Sequence, residues 1–255
     1  MQNCTILIPT YNRSEFLKKL LYYIVNNKYN LPVFVVDGST LDKEINNNKM
    51  NNDDDFFSKE YIEEAINFFE KNSNYSIVTG YTISFHQNKI NLKNSKYFLG
   101  EKEINLCEDP FKRFEFSKHN WHPFGVFKTE LFTTILNEYA KIVENVDSKV
   151  NFNQALLMRF LSYNMKLHSL IEGKVKFINK CMNLTIYHEN NWGKQHGLIN
   201  PLETFYSKDF LNFIVQLKES ITNKYNINND TINKFLHLII SNDKHIAKYS
   251  LKKKN

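Results

Sequence analysis

Two short apolar runs with one amphipathic stretch between them open the chain. Cys4-Thr5-Ile6-Leu7-Ile8-Pro9 and Leu31-Pro32-Val33-Phe34-Val35-Val36 are rich in β-branched residues, the pattern of strands buried on both faces. Between them Phe16, Leu17, Leu20, Leu21, Ile24 and Val25 recur at helical spacing, and Ser14 is placed to cap that helix. Strand, helix and strand within the first forty residues predict a βαβ unit, with parallel pairing and a right-handed crossover. In such sheets ligands sit beyond the carboxyl ends of the strands. Thr10-Tyr11-Asn12-Arg13 and Asp37-Gly38-Ser39 both fall at those ends, so two polar clusters converge on one rim.

The later pattern continues in the same vein. Ser58 followed by the apolar spacing of residues 61–69 predicts a capped amphipathic helix, and residues 77–83 read as a strand. Residues 87–109 are polar and irregular. Residues 121–127 are strand-like and aromatic, 131–143 and 152–167 are helical by spacing, and 173–178 are again strand-like. Residues 201–251 carry helical periodicity through Phe210, Leu211, Phe213, Ile214 and Leu217, then through Ile232, Phe235, Leu236, Leu238 and Ile239. The expected division is an α/β domain over 1–199 with a helical C-terminal extension over 200–255. Packing against the core is the default role of that extension. A basic amphipathic surface resting on a membrane is the alternative.

Composition adds bounds. A chain of 255 residues, 42% hydrophobic and 24% charged, suits a globular protein with an ample core. The net charge of +6 and isoelectric point near 9.0 permit contact with phosphate-bearing ligands or an anionic membrane face. The basic residues are dispersed, however, and only Lys252 to Lys254 form a run, read as a solvated tail. With no nucleic-acid motif and no basic stripe interleaved with aromatics, nucleic acid is not an expected partner. Cys4, Cys107 and Cys181 are too far apart for a disulfide framework or zinc spacing, which fits a reducing compartment. No signal-peptide pattern opens the chain and no apolar stretch approaches eighteen residues, so the expected location is cytoplasmic, with peripheral contact at the inner face of the membrane as the variant.

The chemistry-bearing stretch is NDDDFFSKEY, residues 52–61, with consecutive carboxylates at Asp53, Asp54 and Asp55. Alone, such a cluster is a solvated loop or the acidic start of a helix. In company with ILIPTYNRSEFLKKLL and VFVVDGS before it, and DDDFFSKEYIEEAINFFEKN within it, the chain resembles family 2-type glycosyltransferases of GT-A fold, most closely a bacterial subgroup whose D-x-D metal motif reads D-D-D-F. The resemblance is strong over residues 4–39 and 53–80 and weak afterwards. It implies a Rossmann-like mixed sheet flanked by helices, with a nucleotide-binding part over about 1–85 and an acceptor part over about 86–199. It implies transfer of a sugar from a nucleotide-sugar donor to a hydroxyl of a surface or cell-wall glycan precursor, the acceptor being a glycan or lipid-linked. Thr10, Tyr11, Asn12, Arg13, Asp37 and Asp54 would meet the donor, and Asp53 and Asp55 would hold Mg²⁺ or Mn²⁺ on its diphosphate. A hard dication takes carboxylate oxygens, keeps positions open for phosphates and neutralises charge on the leaving group. In the loop after residue 186, His188 is the candidate third metal ligand and Lys194 the candidate basic contact to the diphosphate.

Two features depart from the family pattern. From Asp37 to Asp53 is sixteen positions, and STLDKEINNNKMNN is polar and Asn-rich. A crossover to a further parallel strand needs a dozen or more residues and a full βαβ unit about thirty. Either an interior piece of the nucleotide domain is missing, which exposes sheet edges and apolar faces, or a loop delivers the triplet. Second, the family's catalytic carboxylate falls on Asn153 or Gln154, amides that accept no proton at neutral pH, one turn or so before Arg159. An inverting transferase needs a base for the acceptor hydroxyl. Asp147 or Glu144 substitutes if the preceding loop folds back; a retaining mechanism and lost activity are the other outcomes. His119 and His122 are read either as acceptor contacts or as satisfied packing residues. The rival class is a catalytically impaired relative that only binds nucleotide-sugar or glycan.

Overall fold

The computed structural model describes residues 4–10, 14–37, 55–86, 96–98, 108–110, 112–113, 125–145, 154–187 and 208–241. Over these the chain is α/β, with seven strands and six helices. The first apolar run forms β1 (Ile6–Thr10), the amphipathic stretch forms α1 (Ser14–Asn26), and the second run forms β2 (Val33–Asp37). β1 and β2 pair in parallel, from Ile6 opposite Val33 to Thr10 opposite Asp37. Ile8, Leu20 and Ile24 are buried between sheet and helix, with Ile6, Leu17, Leu21, Tyr23, Tyr29 and Val33 packed around them. The expected strand, helix, strand order with parallel pairing holds. Ser14 is the first residue of the helix itself, and Val25, expected on the packed face, is 73% exposed.

Burial on both faces does not hold for these strands. Leu7 and Phe34 are register partners on the face turned away from α1, and they are 44% and 61% exposed; Val36 on the same face is 56% exposed. Among the described residues β1 and β2 form a sheet of two strands.

The second sheet has the order β3-β7-β4-β5, with β6 also on β4. Its strands are β3 (Asp55–Phe57), β4 (Tyr75–His86), β5 (Lys96–Phe98), β6 (Val126–Phe127) and β7 (Lys174–Tyr187). β3 is antiparallel to β7, and both β5 and β6 are antiparallel to β4. β4 and β7 run the same way: the Lys174 amide donates to the Asn74 carbonyl at 3.0 Å, Gly80 lies against Lys180 and Met182, and the Thr82 hydroxyl donates to Asn183 Oδ1 at 2.5 Å. The sheet is therefore mixed. Helix α2 (Lys59–Lys71) buries Tyr61, Ile62, Ala65 and Ile66. Ser58 caps it, its side chain accepting from the Tyr61 amide at 3.3 Å, as the sequence predicts.

Two compact units divide the chain. One comprises Met1–Ser73, Gly80–Leu99 and Ile178–Gly197, the other Asn74–Thr79, Gly100–Phe177 and Leu198–Asn255. The second contains helices α3 (Thr129–Asn145), α4 (Gln154–Glu172), α5 (Lys208–Tyr225) and α6 (Asn229–Ser241). Its core joins Ile77, Ile142, Tyr163, Leu167, Leu170 and Val175 to Phe210, Phe213, Leu217, Ile221, Ile232, Phe235 and Leu236. The C-terminal helices thus supply half of this core, which agrees with packing against the core as their default role. Buried Arg113 closes the end of α4, its guanidinium donating to the Leu170 carbonyl at 2.9 and 2.7 Å and to the Glu108 carbonyl at 2.6 Å. Among the described residues no helix is long and apolar enough to cross a membrane.

His168 on α4 is fully buried, its Nδ1 2.6 Å from the hydroxyl of Tyr225 on α5. Burial, reinforced by Lys224 and opposed by Glu138, lowers its pKa from 6.5 to about 4. The folded state therefore binds fewer protons than the unfolded one in that interval, so stability is retained above pH 6.5 and lost as pH falls towards 4. The expected loss is about 3 kcal/mol. In urea titrations across this range, His168→Gln is expected to remove most of that slope; an unchanged slope would show that other groups set it.

Candidate functional site

Of the rim expected from the sequence, Thr10 and Asp37 are among the described residues. Thr10 and Asp37 are the last paired residues of β1 and β2 and lie opposite one another. Tyr11, Asn12 and Arg13, which continue from β1, are outside the described residues.

The acidic run enters the structure at Asp55, the first residue of β3, which pairs with Thr185 of β7. β7 ends two residues later at Tyr187, directly before His188. The backbone positions from which the candidate ligand segments depart are therefore neighbours across one antiparallel ladder. Asp53, Asp54, His188 and Lys194 themselves lie outside the described residues, as do Asp147 and Asn153. Gln154 is the first residue of α4, whose first turn contains no acidic residue. His119, His122 and Cys107 also fall outside; Cys4 and Cys181 are free thiols. Among the described residues no three His, Cys, Asp or Glu side chains gather in a metal-binding group.

Packing brings β3 to the βαβ layer. Phe56 joins the apolar cluster of Ile8, Leu20 and Ile24, and its ring stands edge-on to Tyr23 at 5.2 Å between centroids. The Phe57 carbonyl accepts from the Tyr23 hydroxyl at 3.2 Å and from the Tyr29 hydroxyl. Burial pushes the Tyr29 phenol far above its ordinary pKa, assisted by the neighbouring Tyr23 hydroxyl, so it remains a donor.

The approach of Tyr29 is built into the end of α1. Lys28 adopts the left-handed conformation, φ 53°, its amide bonds back to Val25 at 3.0 Å, and the Tyr29 amide bonds to Ile24 at 3.2 Å. This pair of bonds is a Schellman motif, and Tyr29 packs against the apolar cluster that contains Ile24. A lysine there forgoes about 1 kcal/mol relative to glycine. The turn folds Tyr29 back to within 6.1 Å of Tyr23, centroid to centroid. Neither tyrosine stands out in the sequence: Tyr23 sits just off the apolar stripe of α1, and the aromatic at 29 is one of fourteen tyrosines.

No protein-family model matches the sequence. No curated protein matches it either.

Proposed function

We propose that this chain is a metal-assisted glycosyltransferase of GT-A type, moving a sugar from a nucleotide-sugar to a hydroxyl of a glycan or lipid-linked acceptor. The observation that supports this most is the joint placement of β1, β2 and β3. Thr10 and Asp37 end a parallel pair in register, and the strand that begins with Asp55 packs on the same apolar cluster as that pair. In this reading Asp53 and Asp55, with His188, hold Mg²⁺ or Mn²⁺. Thr10 to Arg13, Asp37, Asp54 and Lys194 take the nucleotide and its diphosphate. The metal supplies Lewis-acid stabilisation of the departing diphosphate. Asp147 is the candidate base in this scheme.

A second reading is favoured by one feature. Gln154 opens α4 and no carboxylate lies in that helix's first turn, so the family's usual base position is an amide. A chain that binds nucleotide-sugar or glycan without turnover fits this. Incubation with a panel of nucleotide-sugars and Mn²⁺ separates the two. Metal-dependent release of nucleoside diphosphate is the expected result, and Asp147→Asn is expected to reduce it by two orders of magnitude or more. Saturable binding with no release over hours supports the binding-only reading, and absence of binding overturns both.

A further inference from the structure

We infer that Glu172 and Tyr225 set the position of the proton on buried His168, and that this makes the second compact unit acid-opened. Charging His168 breaks the tie between α4 and α5 and opens that unit while the first stays folded.

The three residues form a chain from solvent to core. Glu172, the last residue of α4, is exposed; Tyr225, the last of α5, is half-buried; His168, one turn before Glu172, is fully buried. The Tyr225 hydroxyl has one proton and two neighbours, His168 Nδ1 at 2.6 Å and the Glu172 carboxylate. Burial, then the Glu172 charge, keeps that proton on the phenol. A carboxylate can only accept, so the hydroxyl donates to Glu172. Nδ1 must then donate to the phenol oxygen, which leaves the lone pair of the neutral ring on Nε2. Nε2 is buried with no hydrogen-bond partner among the described residues, as suits a lone pair rather than an N–H.

Charging the ring places its second proton on Nε2. Asn164 Oδ1 and Thr222 Oγ1, one turn earlier on α4 and α5, are also without partners, so neither is bonded to that nitrogen. The new N–H is a buried donor without an acceptor, on a ring that has also gained a charge. Burial opposes the charge most, Lys224 of α5 opposes it further, and Glu138 of α3 favours it. The Glu138 carboxylate is already engaged, by the Ser220 hydroxyl at 2.6 Å and the Lys141 ammonium at 3.2 Å. Tyr139 of α3, packed on the same core, has its phenol pushed up to about 12 by burial and keeps its proton throughout. The ring is therefore neutral in the closed unit and charged once it opens. With a pKa of about 4 closed and 6.5 open, the opening constant rises about tenfold for each pH unit between them. Tyr225 ends the helix whose Phe213, Leu217 and Ile221 fill the core with Leu167 and Leu170 of α4. Separation there uncovers apolar surface on both helices, so opening spreads through the unit. The first unit has a separate cluster around Ile8, Leu20 and Ile24, with no histidine in it among the described residues.

The test is hydrogen exchange of the full chain, read by mass spectrometry from neutral pH down to about 4.5 and corrected for the intrinsic rate. The nitrogen chemical shifts of the His168 ring at neutral pH accompany it. Peptides of the second unit are expected to lose protection about tenfold per pH unit below 6.5, while those of the first unit's core do not follow. His168→Gln should flatten that loss. The neutral ring should carry its proton on Nδ1. Glu172→Ala, at an exposed site, frees the phenol to donate to Nδ1. It should move the ring proton to Nε2 and raise opening of the second unit at neutral pH about tenfold. If His168→Gln does not fold, Glu172→Ala is read in its place. A ring proton on Nε2 in the unaltered chain, or one that Glu172→Ala leaves on Nδ1, overturns the assignment. Protection lost in step in both units, or kept in the second down to the lowest pH, overturns the acid opening.

Discussion

Removal of residues 200–255 is expected to abolish cooperative folding of the second compact unit. α5 and α6 place Phe210, Phe213, Leu217, Ile221, Ile232, Phe235 and Leu236 in its main core, each no more than 5% exposed. Burying one such side chain is worth about 1.5–3 kcal/mol, so seven together match or exceed the net stability of about 5–15 kcal/mol that a domain retains. The partners left behind, Ile142, Tyr163, Leu167 and Leu170 among them, would present a large apolar surface. Near-ultraviolet circular dichroism of the shortened chain should show lost tertiary signal, with aggregation on heating. On the full chain, Phe235→Ala should cost about 3–5 kcal/mol. A shortened chain that melts as sharply as the whole, with the second unit's amides still protected from exchange, would show that the unit's core does not depend on these helices.

Gly80→Ala is expected to have the next largest effect. A Cβ at this position would lie 2.6 Å from the Lys180 carbonyl oxygen, 3.1 Å from Met182 Cβ and 3.2 Å from the Tyr61 ring. The nearest atom is backbone of the adjacent strand, so no side chain can swing aside to relieve it. β4 and β7 must separate at their midpoint, or α2 must lift with Tyr61. Overpacking of this kind costs about 3 kcal/mol or more, because the ladder and the packing yield together. Chemical denaturation should report it as a lower midpoint at unchanged m-value. A loss below about 1 kcal/mol would mean that the two strands are spaced more widely there than the contact distances indicate.

The sequence made the local elements legible where a period decides them. Ile6 to Ile8, Leu17 to Ile24 and Val33 to Val36 each repeat with the spacing of the element they form, and Ser58 is followed by the helix it caps. The ends of the two apolar runs also place Thr10 and Asp37 at matching strand ends, and the register pairs them. What a period cannot show is the partner. The run Val33 to Val36 has the composition of a strand covered on both sides, yet Phe34 and Val36 are more than half exposed. The spacing of Phe213 and Leu217 is that of a helix packed on a surface, whether that surface is a core or a neighbour's flank. The clasp of Tyr23 and Tyr29 on Phe57 spans 34 and 28 residues and ends on a carbonyl, a group every residue has. No residue type marks such an acceptor in advance.

The account turns on whether the acidic run and the β1–β2 rim share one cation and one diphosphate. The direct measurement is the melting temperature of the full chain with Mn²⁺, with a nucleoside diphosphate, and with both, for the unaltered protein and for Asp55→Ala. Together the two ligands should raise the melt of the unaltered chain by about 5–10 °C at a hundredfold excess over the dissociation constant. Asp55→Ala should keep the apo melt within a few degrees and lose the metal-dependent part of the rise. An unaltered chain whose melt responds to no diphosphate with Mn²⁺, or an Asp55→Ala chain that responds as fully, would contradict the account.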